Sequence, residues 1–129
     1  MRIASLALAS GIYLAACATI ESASDEDRTM AFGCDDAVVV GRLSNQSADE
    51  FVPRSDDLIG HSWMEGILHV RRTVRGAKLS GDVKVRYSAH SFIREDQSFM
   101  FVLSRSNMGY MIETAQLMSL NPRVISACK

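Results

Sequence analysis

The side chains that could do chemistry fall into three sets: the cysteines Cys17, Cys34 and Cys128, the trio His61, Glu65 and His69, and a run of bases between residues 65 and 86. The trio is spaced four apart, so a helix would line it on one face where it could approach a metal ion. The flanking residues follow a period of two instead. In a strand, eight residues separate His61 from His69 by about 26 Å, too far for one ion. Gly66 inside the run also weakens a helix. No metal and no cofactor is therefore assigned. The sequence has no nucleophile elbow, phosphate loop or spaced cysteine cluster, and it reads as a non-enzyme.

The bases are Arg71, Arg72, Arg75, Lys78, Lys84 and Arg86, set against only Glu65 and Asp82 in the same span. This local excess survives a balanced chain of 14 basic and 15 acidic residues. A pI near 6.3 gives no global pull toward nucleic acid, and no nucleic-acid partner is expected. Arg71, Arg75, Lys84 and Arg86 are the candidate partner-binding residues, suited to anionic headgroups, an anionic polymer or an acidic protein face. The competing reading is a solvated strand exterior. Trp63, Tyr87 and Phe92 could add stacking surface, although aromatics at strand spacing are more often core.

The first segment gives an address. Met1-Arg2 carries one positive charge, Ile3 to Leu14 is apolar or small, and the run ends in small residues, the three-part pattern of a secretory signal. It is shorter than the ~20 apolar residues that span a bilayer. Leu14-Ala15-Ala16-Cys17 resembles the bacterial lipobox. That resemblance implies removal of residues 1–16, lipidation of Cys17, and a membrane anchor that several acyl chains make stable. An ordinary signal cut near Ala16 or Ala18 is the alternative. In lipoproteins of this kind an Asp directly after the cysteine is a common inner-membrane retention signal; Ala18 and Thr19 follow Cys17 instead, so the resemblance implies the outer membrane facing the periplasm if the source has two membranes. With Cys17 assigned to lipid, Cys34 and Cys128 remain as a pair suited to an oxidising compartment. A disulfide between them would close a loop of 128 − 34 = 94 residues, worth roughly 4 to 5 kcal/mol in the loop-closure model.

These groups need elements to hold them. Residues 17–33 are small and acidic without a sustained apolar period, and read as a flexible tether. Ala37 to Leu43 is β-branched and bounded by turn formers, a buried strand in which Gly41 marks a bulge or a close backbone approach. Ser44 to Gly60 reads as a long surface connection. Trp63 to Arg75 alternates, with Ile67 and Arg72 out of place, so a bulge or strong coiling is expected. Asp82 to Ser88 turns Val83, Val85 and Tyr87 inward. Phe99 to Leu103 is apolar on both parities and reads as the most buried strand. Tyr110 to Ala115 pairs back as a hairpin, Gln116 to Leu120 forms a helical turn, and Arg123 to Ala127 is extended. The expected fold is all-β, a small five-stranded Greek-key barrel of the OB type with a short C-terminal helix, over residues 34–129.

Cys34-Asp35-Asp36-Ala37-Val38-Val39-Val40-Gly41-Arg42-Leu43, Leu68 to Gly76 with its Val74-Arg75-Gly76 ending, the Val83 to Tyr87 and Phe99 to Leu103 strands, and the closing Cys128 resemble the netrin-like domain of tissue inhibitors of metalloproteinases. That resemblance implies an OB-type barrel tied by a late cysteine. Inhibitors of that family grip a protease zinc with the free amine of the first cysteine. Cys34 has residues 17–33 in front of it, so its nitrogen is a peptide nitrogen. The expected function is a membrane-anchored envelope lipoprotein acting as a non-catalytic binding module, its partners the membrane and an envelope protein or anionic polymer. Inhibition of an envelope or extracellular protease is the alternative.

Overall fold

A computed structural model describes residues 28–49 and 60–129. The expected export signal, Cys17 and most of the expected tether lie outside the described residues. Seven strands follow in order: β1 (Thr29–Phe32), β2 (Ala37–Ala48), β3 (Ser62–Arg75), β4 (Gly81–Ala89), β5 (Phe99–Ser106), β6 (Gly109–Leu117) and β7 (Arg123–Ser126). Strands β2-β3-β4-β6-β5 close into a barrel, and β1 and β7 form a separate two-stranded sheet. All barrel pairs are antiparallel except β4 with β6. Numbered within the barrel, the strands run 1-2-3-5-4, the Greek-key order of an OB-type barrel, as the sequence led us to expect.

Two apolar clusters hold this arrangement. The barrel interior is filled by Leu43, Leu68, Val85, Phe101 and Leu103, with Ala37, Val39, Met64, Tyr87 and Ile112. Residues of the opposite parity, Val38 and Val40 on β2 and Met100 and Val102 on β5, point out of the barrel and are equally buried. Met30 of β1 covers them, assisted by Phe32, Val74, Met118 and Val124. A strand apolar on both faces must be covered on both, and β1 with β7 supplies the second cover.

This corrects the tether, which the sequence extended through Gly33. Thr29–Phe32 is a strand, parallel to β7 in the register Met30↔Val124. Arg123 N–H donates to the Arg28 carbonyl and Ala127 N–H to that of Phe32, extending the ladder at both ends. Cys34 and Cys128, just beyond these strands, are joined by a disulfide with Cα atoms 4.7 Å apart. The bond ties the cover together across 94 residues.

The irregular positions are resolved by bulges. The pairing of β2 with β3 shifts between Val40↔Arg72 and Gly41↔Val70, leaving Arg71 as the extra residue. Arg72 thus lies outside with Val40, which explains its place in the alternation. Ile67 stays outside, half-exposed. At Gly41 a Cβ would meet the His69 carbonyl, so only glycine lets β3 approach here. Gly76, at φ +79°, makes the turn after β3 against the Asp36 carbonyl.

Two other boundaries move. β2 continues through Ala48, so Ser44 to Ala48 is strand and not surface connection. The β2–β3 pairing also shifts between Val38↔Arg75 and Val39↔Thr73, and a third irregularity, with Asn45 at φ 51°, lies between Ser44↔Ile67 and Ser47↔Glu65. It turns the Gln46 amide toward the β4–β5 connection, where Nε2 donates to the Ile93 carbonyl (2.7 Å) and Oε1 accepts from Ile93 N–H (3.0 Å) and from the Tyr87 hydroxyl. The expected helical turn shrinks to a 3-10 turn at Met118–Leu120, because Gln116 and Leu117 complete β6 opposite Met100 and Phe99.

Candidate functional site

Among the described residues, no second layer covers the outer surface of β3 and β4. Cross-strand pairing sets its rows: Trp63 beside Ser88, Glu65 beside Arg86, Ile67 beside Lys84 and His69 beside Asp82. On the other side of β3, Ser47 lies beside Glu65, Ser44 beside Ile67 and Arg42 beside His69. This is the face, with its adjoining loops, that OB-type barrels use for polymers.

At one end of the face the Trp63 indole is 46 % exposed. The Arg86 guanidinium lies 5.4 Å from its ring centroid, within cation–π range. Arg86 is held in turn by Asp49 (3.4 Å), Glu65 (3.4 Å) and the Met108 sulfur (3.5 Å). Asp49 is positioned by its own N–H, which donates to the Trp63 carbonyl at 2.8 Å. Met108, 65 % exposed, comes from the β5–β6 turn, so three parts of the chain converge on one arginine. Each surface ion pair stabilises by about 0–1 kcal/mol, and the cation–π contact by about as much. Their combined consequence is an arginine held against the indole face.

At the other end a hydrogen-bonded chain crosses three strands. His69 Nδ1 lies 2.5 Å from Asp82 Oδ1, and His69 Nε2 lies 2.5 Å from Ser44 Oγ. An ionised carboxylate only accepts, so Nδ1 carries a proton; in the neutral imidazole Nε2 is then the acceptor and the Ser44 hydroxyl donates. Beside it a hollow of about 550 Å³ is lined by Gly41, Arg42, His69, Val70, Arg71 and Ser98. Arg42 Nε donates to Ser98 Oγ at 3.4 Å.

The four bases singled out in the sequence do not form one patch. Arg86 is engaged beneath Trp63. Lys84 is exposed in the middle of the face, in the row of Ile67. Arg71 is the bulged residue at the hollow, and Arg75, opposite Val38, is at the far end of β3, beyond the last residue paired to β4. Ten strand residues, about 33 Å, separate the row of Arg86 from Arg75. Of the aromatics, Tyr87 is core, whereas Trp63 and Phe92 are exposed.

His61 and His69 are drawn to different partners. The His61 ring packs on His90 at 3.6 Å between centroids, and His90 Nδ1 lies 2.5 Å from the Gly60 carbonyl. Among the described residues, no group of three His, Cys, Asp or Glu side chains could hold a metal. Sequence reasoning missed Ser44, Asp82, Asp49 and Met108, whose roles depend on strand register. No protein-family model, curated protein or solved structure matches this chain.

Proposed function

We propose that this protein is an envelope lipoprotein, anchored through Cys17, whose barrel is a binding module. The observation that carries the reading is the half-exposed Trp63, held by Arg86 on a barrel face that no other described element covers. An aromatic already oriented loses little freedom on binding, and its flat ring suits sugar or other cyclic units. Ile67 and Lys84 continue the surface with an apolar step and a cation. A polymer with ring units and anionic groups, such as an acidic polysaccharide of the envelope, fits this sequence of contacts. The likeness to netrin-like domains supports a scaffold for such binding, since one fold hosts many functions.

The protease-inhibitor alternative has less support. It needs a free amine at Cys34, and cutting there would remove β1 and uncover Val38, Val40, Met100 and Val102.

The test is capture of polygalacturonate by the immobilised full-length chain. Trp63→Ala and Lys84→Glu should each weaken capture by tenfold or more, an effect of about 1.4 kcal/mol, while Arg75→Glu should change it less than twofold. Equal loss in all three would indicate diffuse charge attraction. Capture unaffected by Trp63→Ala would refute the platform.

A further inference from the structure

We infer that Ser44 is a nucleophile activated by His69, making one end of the open face a site of ester hydrolysis. The inference goes beyond the binding reading and does not rest on it. Its basis is the order of contacts, Ser44 Oγ to His69 Nε2 and His69 Nδ1 to Asp82 Oδ1, each 2.5 Å. Nucleophile, base and orienting carboxylate connected in that order are the arrangement that makes a serine reactive, on whatever fold it occurs. The fold supports the placement. Ser44, His69 and Asp82 come from the adjacent strands β2, β3 and β4, with Asp82 directly opposite His69. Gly41 permits the close approach of the His69 backbone, and the Ser44–Ser47 bulge begins at the nucleophile itself.

The neighbourhood specifies the substrate class. Arg42 is on the same face of β2 as Ser44, two residues away and so about 6–7 Å distant. It lines the ~550 Å³ hollow together with Arg71 and His69. Two guanidinium groups beside the base select a carboxylic ester whose acyl part carries an anionic group. Lys84 lies in the same cross-strand row as Ser44, across Ile67, two strand spacings or about 10 Å away, and adds to the positive charge of this end of the face.

In the first step Ser44 Oγ bonds to the ester carbonyl carbon while its proton passes to His69 Nε2. The bond from that carbon to the alcohol oxygen then breaks, and the alcohol leaves with the proton from His69. Water, giving a proton to the same nitrogen, attacks the acyl carbon; the bond from that carbon to Ser44 Oγ breaks, Oγ takes the proton back from His69, and the acid is released. The net reaction is ester plus water to carboxylic acid plus alcohol. Ser44 and His69 are the catalytic residues, and Asp82 is a positioning residue. With the His69 and Asp82 side chains 47 % and 67 % exposed, water competes for each hydrogen bond, and turnover is expected to be slow.

The test uses the full-length chain, a fluorophosphonate probe and peptide mass mapping. The expected result is one phosphonate on Ser44, with Ser47 and Ser98 unlabelled. Labelling should fall at least about 100-fold in His69→Asn, within the range a general base contributes. Asp82→Ala should slow it and Asp82→Glu restore it, a rescue that a merely structural contact would not give. Turnover of 4-nitrophenyl hemisuccinate should exceed that of 4-nitrophenyl acetate, and Arg42→Ala should remove the preference. A folded protein, shown by an unchanged circular dichroism spectrum, that leaves Ser44 unlabelled would overturn the inference. So would labelling that His69→Asn does not slow.

Discussion

The two outer faces of this barrel have opposite fates. On β2 and β5 the outward residues Val38, Val40, Met100 and Val102 are apolar like the inward ones, and the β1–β7 sheet closes over them. On β3 and β4 the outward positions are Trp63, Glu65, Ile67 and His69 facing Ser88, Arg86, Lys84 and Asp82, and among the described residues no element closes over them. The first face converts sequence into stability. The second spends little of its surface on burial and orients an indole and a hydrogen-bonded serine instead. Substitutions should therefore separate: on the covered face they change folding, and on the open face they change what the protein does.

The largest expected effect lies in the tie across the cover. Replacing Cys34 and Cys128 with serine should lower unfolding stability by up to about 4–5 kcal/mol in urea titrations. A loss below about 1 kcal/mol would mean that the β1–β7 sheet holds without the bond. Next is Met30, buried on β1. Met30→Ala should cost about 2–5 kcal/mol, and Trp63→Ala on the open face less than about 1 kcal/mol. Similar values for the two would erase the distinction between the faces.

Gly41→Ala should affect both faces, since its methyl group meets the His69 carbonyl. We expect a loss of about 1–3 kcal/mol, the usual range for overpacking, together with slower Ser44 labelling. Normal labelling would show that the relay does not depend on this approach.

The smallest effect is a pH dependence inside the barrel. Burial raises the Tyr87 pKa above its ordinary 10.0, and the Glu95 charge adds to the rise, while a hydrogen bond at the Ile93 backbone opposes it. Above pH 10 the unfolded chain gives up this proton before the folded one does. Stability contributed by the neutral phenol is therefore complete below pH 10 and is lost as pH rises toward the folded pKa. Tyr87→Phe should flatten that decline in alkaline urea titrations, and an unchanged slope would assign it to another group.

Part of this was legible in the sequence. Phe99 to Leu103 declares itself as a strand buried on both faces, because no polar residue interrupts either parity, and Ala37 to Leu43 reads as a buried strand in which only Arg42 is polar. What covers them was not legible. Thr29–Phe32 is four residues without a distinctive period, and its partner is at the other end of the chain. The misplaced Arg72 and Ile67 revealed an irregularity in β3, but alternation alone does not say that Arg71 is the extra residue. The relay was hidden for a related reason. Ser44, His69 and Asp82 are separated by 25 and 13 positions, and only the register of three strands brings them into line.

The most direct test of the working face uses the single tryptophan, Trp63. Its fluorescence should be read against acrylamide, with and without polygalacturonate. In the free protein the account predicts a red-shifted emission readily quenched by acrylamide, as an indole 46 % exposed requires, and protection from quenching when the polymer is bound. A blue-shifted, unquenchable emission in the free protein, or quenching that the polymer leaves unchanged, would contradict it.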